Sequence, residues 1–259
     1  MNRWRLLLTR SEPDCQLQVN YLASLNITAI SLPLIEIVPT PETDLQRSQL
    51  LDFDRYTTLI VTSKPAAKLI LERLDYYWPQ LPIQQAWFSV GKATADILKT
   101  AGLDACYPDP SVGDDSEALW ASAQFQESLA DPHCRTLIIK GQKGRPWLQE
   151  KLALSGIPTD TIELYYRKIP NYSADFIVDT ITQHNLNALV LSSGEALENL
   201  RHLSGDAWQK IAHLTYFVPS VRIAKQAEEL NIKHIINCHG ASQSALMNAL
   251  KNHQPHNLL

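Results

Sequence analysis

The chain has 259 residues, 45% hydrophobic and 19% charged, a balance that suits one large or two ordinary globular domains and excludes disordered, collagen-like and coiled-coil chains. Its formal net charge of −4 supplies no bulk positive field for nucleic acid or anionic lipid. An anionic ligand must therefore be drawn by local geometry.

Short β-branched, apolar runs alternate with amphipathic stretches from end to end. Strands are predicted over residues 5–9 and 28–32, followed by a proline-punctuated extended stretch, Pro33-Leu-Ile-Glu-Ile-Val-Pro-Thr-Pro41. A strand over 58–62 leads to a helix over 66–74, 87–90 to 93–101, 105–107 to 117–124, and 136–140 to 148–155. The strand over 159–164 runs into a second extended stretch, Glu163-Leu-Tyr-Tyr-Arg-Lys-Ile-Pro170. Beyond it, 188–191 precedes a helix over 195–202, 215–218 precedes one over 222–230, and 234–236 is the final strand. Alternation this dense predicts parallel sheets covered on both faces.

The pattern repeats internally at a period of about 130 residues, far longer than a solenoid period. Arg5-Leu-Leu-Leu-Thr-Arg10 aligns with Arg135-Thr-Leu-Ile-Ile-Lys140, and Leu25-Asn-Ile27 with Ser155-Gly-Ile157. Leu59-Ile-Val-Thr-Ser63 aligns with Leu189-Val-Leu-Ser-Ser193, and Gly91-Lys-Ala-Thr-Ala95 with Ser220-Val-Arg-Ile-Ala224. Two similar α/β domains follow, with the two extended stretches at corresponding places. These could pair as a two-stranded bridge. Sequence alone leaves open whether each domain is a continuous half or whether the N-terminal strands join the C-terminal part.

In doubly wound sheets, ligands bind beyond the carboxyl ends of the strands, where helix N-termini offer free N–H groups and partial positive charge. Those turns here carry small hydroxyl or glycine residues and bases: Thr9 with Arg10, Thr62 with Ser63, Gly91 with Thr94, Gly141 after Lys140, Ser192 with Ser193, and Ser220 with Arg222. Ser63 and Ser193 suit N-caps, and Pro65 suits an early helical position. A cleft between two such rims would be lined by donors for carboxylates or phosphates. Lys140-Gly-Gln-Lys-Gly-Arg145 is a basic turn that could contact an anion, and a phenol in Tyr165-Tyr166-Arg167 could donate a proton.

Competing constellations are missing. There is no GxGxxG, P-loop, GxSxG or HExxH. His234, Cys238 and His239 lack a second ligand cluster, so no metal is expected. Cys15, Cys106, Cys134 and Cys238 are scattered without a CxxC pair, which suggests reduced thiols in the cytoplasm. The three leucines after Arg5 are too few for a signal-peptide core, and no apolar run would span a bilayer.

Taken in order, these blocks resemble uroporphyrinogen-III synthases over essentially the whole chain. The resemblance is carried by Leu8-Thr-Arg10, Pro33-Leu-Ile-Glu36, Thr62-Ser63, Val90-Gly-Lys-Ala-Thr-Ala95, Ser116-Glu-Ala-Leu119, Lys140-Gly141, Gly144-Arg145, Tyr166-Arg167, Ser192-Ser193 and Ser220-Val-Arg-Ile-Ala224. Lys140 stands where that family usually has Arg, replacing a bidentate contact by a point charge. Asn26 and Asn231 stand where glycine is common after a helix, and asparagine tolerates the left-handed conformation needed there.

The resemblance implies two flavodoxin-like, doubly wound domains: 1–35 plus 170–259, and 40–164, joined by linker strands at 36–39 and 165–169. It implies a cofactor-free lyase that closes hydroxymethylbilane, a linear tetrapyrrole polycarboxylate, with inversion of ring D and loss of water. The azafulvene left by hydroxyl loss cyclises unaided to the uninverted isomer, so the enzyme's work is orientation, with the carboxylates supplying remote binding energy. Substrate contacts are expected at Thr9, Arg10, Thr62, Ser63, Gly91, Thr94, Lys140, Gly141, Ser192, Ser193, Ser220 and Arg222, with Tyr166 as the acid. A monomer is expected, free of nucleic acid and membrane, opening and closing on its linker and receiving substrate by transient hand-over from hydroxymethylbilane synthase. The alternatives are an inactive cytosolic protein binding an anionic tetrapyrrole or other polycarboxylate, and, less well supported, a phosphosugar or nucleotide-dependent enzyme.

Overall fold

The computed structural model describes residues 3–109 and 111–255. Residues 1–2 and 256–259, the outer ends of the first expected domain, lie outside the described residues. The chain divides into two compact units: the residues up to Glu36 with those from Lys168 onward, and Ile37–Arg167.

Unit 1 begins with β1 (Arg5–Leu8), α1 (Asp14–Ser24) and β2 (Thr28–Ser31). The chain then leaves through β3 (Glu36–Pro39) to build unit 2. There α2 (Asp44–Leu51) precedes β4 (Thr58–Val61), α3 (Lys64–Tyr77), β5 (Ala86–Ser89), α4 (Lys92–Thr100) and β6 (Ala105–Cys106). The short helices α5 (Ser116–Ala121) and α6 (Ala123–Leu129) lead to β7 (Thr136–Gly141), α7 (Trp147–Leu154) and β8 (Thr159–Lys168). Back in unit 1 come α8 (Ala174–Gln183), β9 (Ala188–Val190), α9 (Gly194–Ser204), α10 (Trp208–Ile211) and β10 (Thr215–Val218). They are followed by α11 (Val221–Glu229), β11 (His234–Asn237) and α12 (Gln243–Asn252).

The unit 1 sheet runs β11-β10-β9-β1-β2 and the unit 2 sheet β3-β8-β7-β4-β5-β6. Within each unit, the pairs β1–β2, β1–β9, β9–β10 and β10–β11, and β4–β5, β4–β7, β5–β6 and β7–β8, are parallel. Counted from β1, unit 1 has the flavodoxin-like order 2-1-3-4-5. Counted from β7, unit 2 has the same order with β3 added outside β8. The repeat read in the sequence thus occupies equivalent strands: β1 matches β7, β9 matches β4, and β10 matches β5. Glu36 lies beside Lys168 while the Thr40 amide donates to Leu164 O, so β3 and β8 run in opposite directions.

Apolar residues fill both faces of each sheet, as parallel strands require. Leu7, Leu189, Tyr216 and Val218 pack on one face of unit 1, and Leu6, Leu8, Ala188 and Phe217 on the other. In unit 2, Leu59, Val61, Leu137 and Ile139 face α3 and α4, while Ile60, Phe88 and Ile138 face Phe125, Leu148 and Leu152. Truncating any of these leucines to alanine costs about 2–5 kcal/mol.

Asn26 and Asn231 take positive φ of 57° and 63°, as Gly156 (72°) and Gly102 (85°) do at the ends of α7 and α4. After each residue the next amide reaches back to close the helix end: Ile27 to Leu22, Ile157 to Leu152, Ile232 to Ala227 and Leu103 to Leu98. One expectation needs correction. The helix expected over 117–124 is interrupted, because Ser122 adopts φ −74°, ψ 133°, ending α5 while its Oγ caps α6 by accepting from Phe125 N. The strand over 159–164 and the extended stretch after it form one strand to Lys168, with β3 as its neighbour along the outer edge.

Candidate functional site

At the carboxyl edge of the unit 2 sheet, Ser63 is held extended (φ −163°, ψ 157°), and its Oγ caps α3 by accepting the Ala66 amide at 3.3 Å. Pro65 follows in the first turn, where a missing N–H costs nothing. The end of β7 presents Lys140 and Gly141. Opposite them β8 carries a bulge: Lys140 pairs with Glu163, but Gly141 pairs with Tyr165. The extra residue puts Leu164 and Tyr165 consecutively into the same core face, which strict alternation forbids.

The Tyr165 ring lies flat against Gly141, where a Cβ would stand 2.5 Å from its Cζ. Its hydroxyl sits 3.0 Å from Ser63 Oγ. Here only glycine admits the ring.

These residues wall a cavity of about 270 Å³ whose lining includes Thr62, Ser63, Lys140, Gly141, Lys143, Arg145, Tyr165 and Arg167, with Asp114 and Asp115. Its lining carries four basic side chains, so cationic groups gather here although the chain is net negative. Asp115 is committed to capping α5 through Ala118 N at 2.9 Å. Arg145 is held in a two-pronged pair with Glu117 at 2.7 and 2.9 Å, which raises its already high pKa. Lys140 Nζ lies 4.0 Å from Glu163 Oε1 with its side chain only 14% exposed. The cavity therefore offers basic side chains, a serine hydroxyl and a helix N-terminus, a set suited to carboxylates.

Of the residues expected from the sequence, the cavity brings together Thr62, Ser63, Lys140 and Gly141. Gly91 and Thr94 lie in the same unit outside its lining; Gly91 caps α4 by position and Thr94 is buried. Tyr166, half-buried on β8, also lies outside the lining, one residue from Tyr165 and Arg167, which belong to it. Basic Lys143 and Arg145 come from the turn flagged in the sequence. Tyr165 belongs to the triplet flagged in the sequence, and the bulge turns it, rather than Tyr166, to the cavity.

The remaining candidates sit at the carboxyl edge of unit 1. Ser193 caps α9 through Ala196 N at 3.2 Å, and Ser220 caps α11 through Ile223 N at 3.4 Å. Ser192 is half-buried beside Ser193. Arg222 is exposed, with its guanidinium 3.5 Å from Gln226 Oε1 and close above Gly194. Thr9 is buried and donates to Val190 O at 2.7 Å, tying β1 to β9. Arg10 donates to Ala241 O at 2.6 Å, and burial lowers its pKa. Among the described residues no helix is long and apolar enough to cross a membrane.

The profile of the family described as uroporphyrinogen-III synthase HemD matches residues 18–248. The uroporphyrinogen-III synthases of Salmonella typhimurium and Escherichia coli are each 29% identical over 252 residues, covering 95% of this chain and 99% of their own. Among solved structures, uroporphyrinogen-III synthetase from Helicobacter pylori superposes with a TM-score of 0.60 at 17% identity, covering 96% of this chain and 100% of that one. A mutant uroporphyrinogen III synthase from Thermus thermophilus does so at 0.55 and 15%, with the same coverage. These two likenesses establish the fold, and the sequence matches establish the kinship: the chain belongs to the uroporphyrinogen-III synthase family, the cyclising lyases of tetrapyrrole biosynthesis.

Proposed function

We propose that the unit 2 cavity grips carboxylates of hydroxymethylbilane while the chain closes it to uroporphyrinogen III, with ring D inverted and water lost. The observation that carries this assignment is the cavity itself: four basic side chains and a capping serine converge on it in an otherwise acidic protein. Ser63, Thr62, Lys140 and Gly141 form its floor and walls. The unit 1 edge supplies a second set of contacts, from Thr9, Arg10, Ser192, Ser193, Ser220 and Arg222, and Gly91 and Thr94 add to the first. Residues 1–35 with 170–259 and residues 40–164 are the working domains, with 36–39 and 165–169 connecting them.

Tyr166 is the acid. Its O–H gives a proton to the departing hydroxyl, which leaves as water as the C–O bond breaks and the pyrrole becomes an azafulvenium cation. The phenolate recovers a proton when the closed macrocycle rearomatises. Holding the carboxylates sets which carbon of ring D meets the azafulvenium cation, a matter of orientation rather than of strong acids or bases. The protein acts as a cytoplasmic monomer that takes its substrate by transient hand-over from hydroxymethylbilane synthase. An inert polycarboxylate-binding protein is not favoured, because the likeness to synthases spans nearly the whole chain.

The test is to supply enzymatically generated hydroxymethylbilane and separate the product isomers. Type III product is expected from the wild-type chain. Lys140→Met should raise KM about tenfold, the loss of one charge-assisted contact. Tyr166→Phe should lower kcat with folding intact. Type I product alone, from folded wild-type protein, overturns the assignment.

A further inference from the structure

Arg145 reaches the unit 2 cavity with its fork already taken. The turn that carries it is fixed at both ends: the Gln142 amide donates to Tyr165 O at 2.8 Å, and Pro146 O accepts the Glu150 amide at 2.9 Å as α7 begins. Between these points residues 142–145 are exposed. From there Arg145 Nη1 and Nη2 reach across to Glu117 Oε1 and Oε2 in α5, at 2.7 and 2.9 Å. Both flanks of this bridge line the cavity, Asp114, Asp115 and Ser116 on one side and Lys143, Gly144 and Arg145 on the other. The bridge stands in water, its side chains 63% and 41% exposed. The Arg135–Asp160 pair at the amino edge of the same sheet is built differently. There the Tyr56 hydroxyl also donates to Asp160, and the Tyr56 ring lies against the guanidinium. Among the described residues no third side chain bonds to Arg145 or Glu117.

We propose that Glu117 is a built-in stand-in for a substrate carboxylate: it holds Arg145 until a carboxylate of the incoming polyacid takes its place and frees the turn from α5. The exchange is carboxylate for carboxylate, so no proton moves and the two parallel N–H···O bonds are kept. An ion pair open to water on both sides contributes little to stability, so it yields readily. It also yields selectively. A lone carboxylate competes from solution against a side chain already held in place. A polycarboxylate gripped at Lys140 and Ser63 presents its next carboxylate at a comparable effective concentration. Arg145 thus adds to the grip on a molecule with several carboxylates and stays closed to one with a single carboxylate. This inference rests on the reading of the cavity as a carboxylate site, and the test separates the two.

Glu117→Gln, Arg145→Gln and the double variant, with Lys140→Met as the reference for the cavity, are compared by KM and kcat for hydroxymethylbilane and by thermal unfolding. Glu117→Gln should lower KM about two- to fivefold, with kcat within about twofold of wild type, the scale of an exposed ion pair. It should also admit propionate as a competitive inhibitor at lower concentrations than wild type requires. Arg145→Gln should raise KM about three- to tenfold. In the Arg145→Gln background most of the gain from Glu117→Gln should vanish, since the group competed for is gone. Each single variant should keep Tm within about 4 °C of wild type. A rise in KM for Glu117→Gln, or a larger loss of Tm, would make the pair a strut of the turn and overturn the exchange. An equal fall in KM in both backgrounds would also overturn it, because Glu117 would then merely repel the substrate through space. If Lys140→Met raises KM while Glu117→Gln and Arg145→Gln leave it unchanged, the exchange fails and the carboxylate cavity stands. If none of the three changes KM, the cavity reading falls with it.

Discussion

The carboxyl edges of the two sheets are built on one plan and finished differently. In unit 1 the first strand ends in Thr9 and Arg10; Thr9 is spent on Val190 O, Arg10 reaches Ala241 O, and Cys238 beyond β11 is desolvated. In unit 2 the corresponding residues are Ile139 and Lys140, followed by Gly141 and a cavity lined by bases. The serine caps are the same in both. Duplication therefore placed the backbone donors, and a few side chains decide what stands between them.

Gly141 and Tyr165 are where this difference is easiest to break, and the effect should be the largest. A methyl at Gly141 would stand 2.5 Å from Tyr165 Cζ, with Cε2 and Cε1 at 2.7 and 2.9 Å. The ring is buried and cannot swing clear. Gly141→Ala should destabilise the protein by about 1–3 kcal/mol, the usual cost of overpacking, lowering Tm by roughly 2–4 °C per kcal/mol. Gly141→Ser with Tyr165→Ile, which copies Ser11 and Ile35 of the other repeat, should recover most of that loss. Thermal unfolding of the two variants beside wild type decides the point. Equal Tm for Gly141→Ala and wild type would mean that the ring does not need the glycine.

The caps test the shared half of the plan. Ser63→Ala and Ser193→Ala each remove one bond to a helix N-terminus, at 3.3 and 3.2 Å. Each should cost about 1 kcal/mol in denaturant unfolding, and the two should agree within about 0.5 kcal/mol. A much larger loss at Ser63 would show that its contact with Tyr165 also holds the fold.

The backbone plan was legible in the sequence because period and punctuation encode it. Leu59-Ile-Val and Leu189-Val-Leu are continuous apolar runs of doubly covered strands, and Asn26 and Asn231 mark helix ends that need positive φ. Two kinds of detail were not legible. Helix α1 buries Cys15, Gln18 and Leu22, and the glutamine in that row breaks the apolar stripe by which an amphipathic helix is recognised. The cavity depends on a single-residue bulge, which shifts Tyr165 to the face that alternation assigns to its neighbour. Composition has no signature for such a shift. The basic turn around Arg145 was visible, but not its pairing with Glu117, because 28 residues separate them.

The smallest expected effect concerns the thiol that follows β11 in unit 1. Burial pushes the Cys238 thiol up to about 11, with no charged partner contributing. The reactive species is the thiolate, so at pH 8 only about one molecule in a thousand carries it, against about one in four for an unperturbed thiol. Alkylation of Cys238 by iodoacetamide, followed by peptide mapping, should therefore rise about tenfold per pH unit from 7.5 to 10 without levelling. A plateau near pH 9 would mean that water reaches the thiol freely. The steep rise would mark the end of β11 as shielded while Ser192, Ser193 and Arg222 on the same edge stay partly or fully exposed, so that the shielding is local to the half-buried thiol.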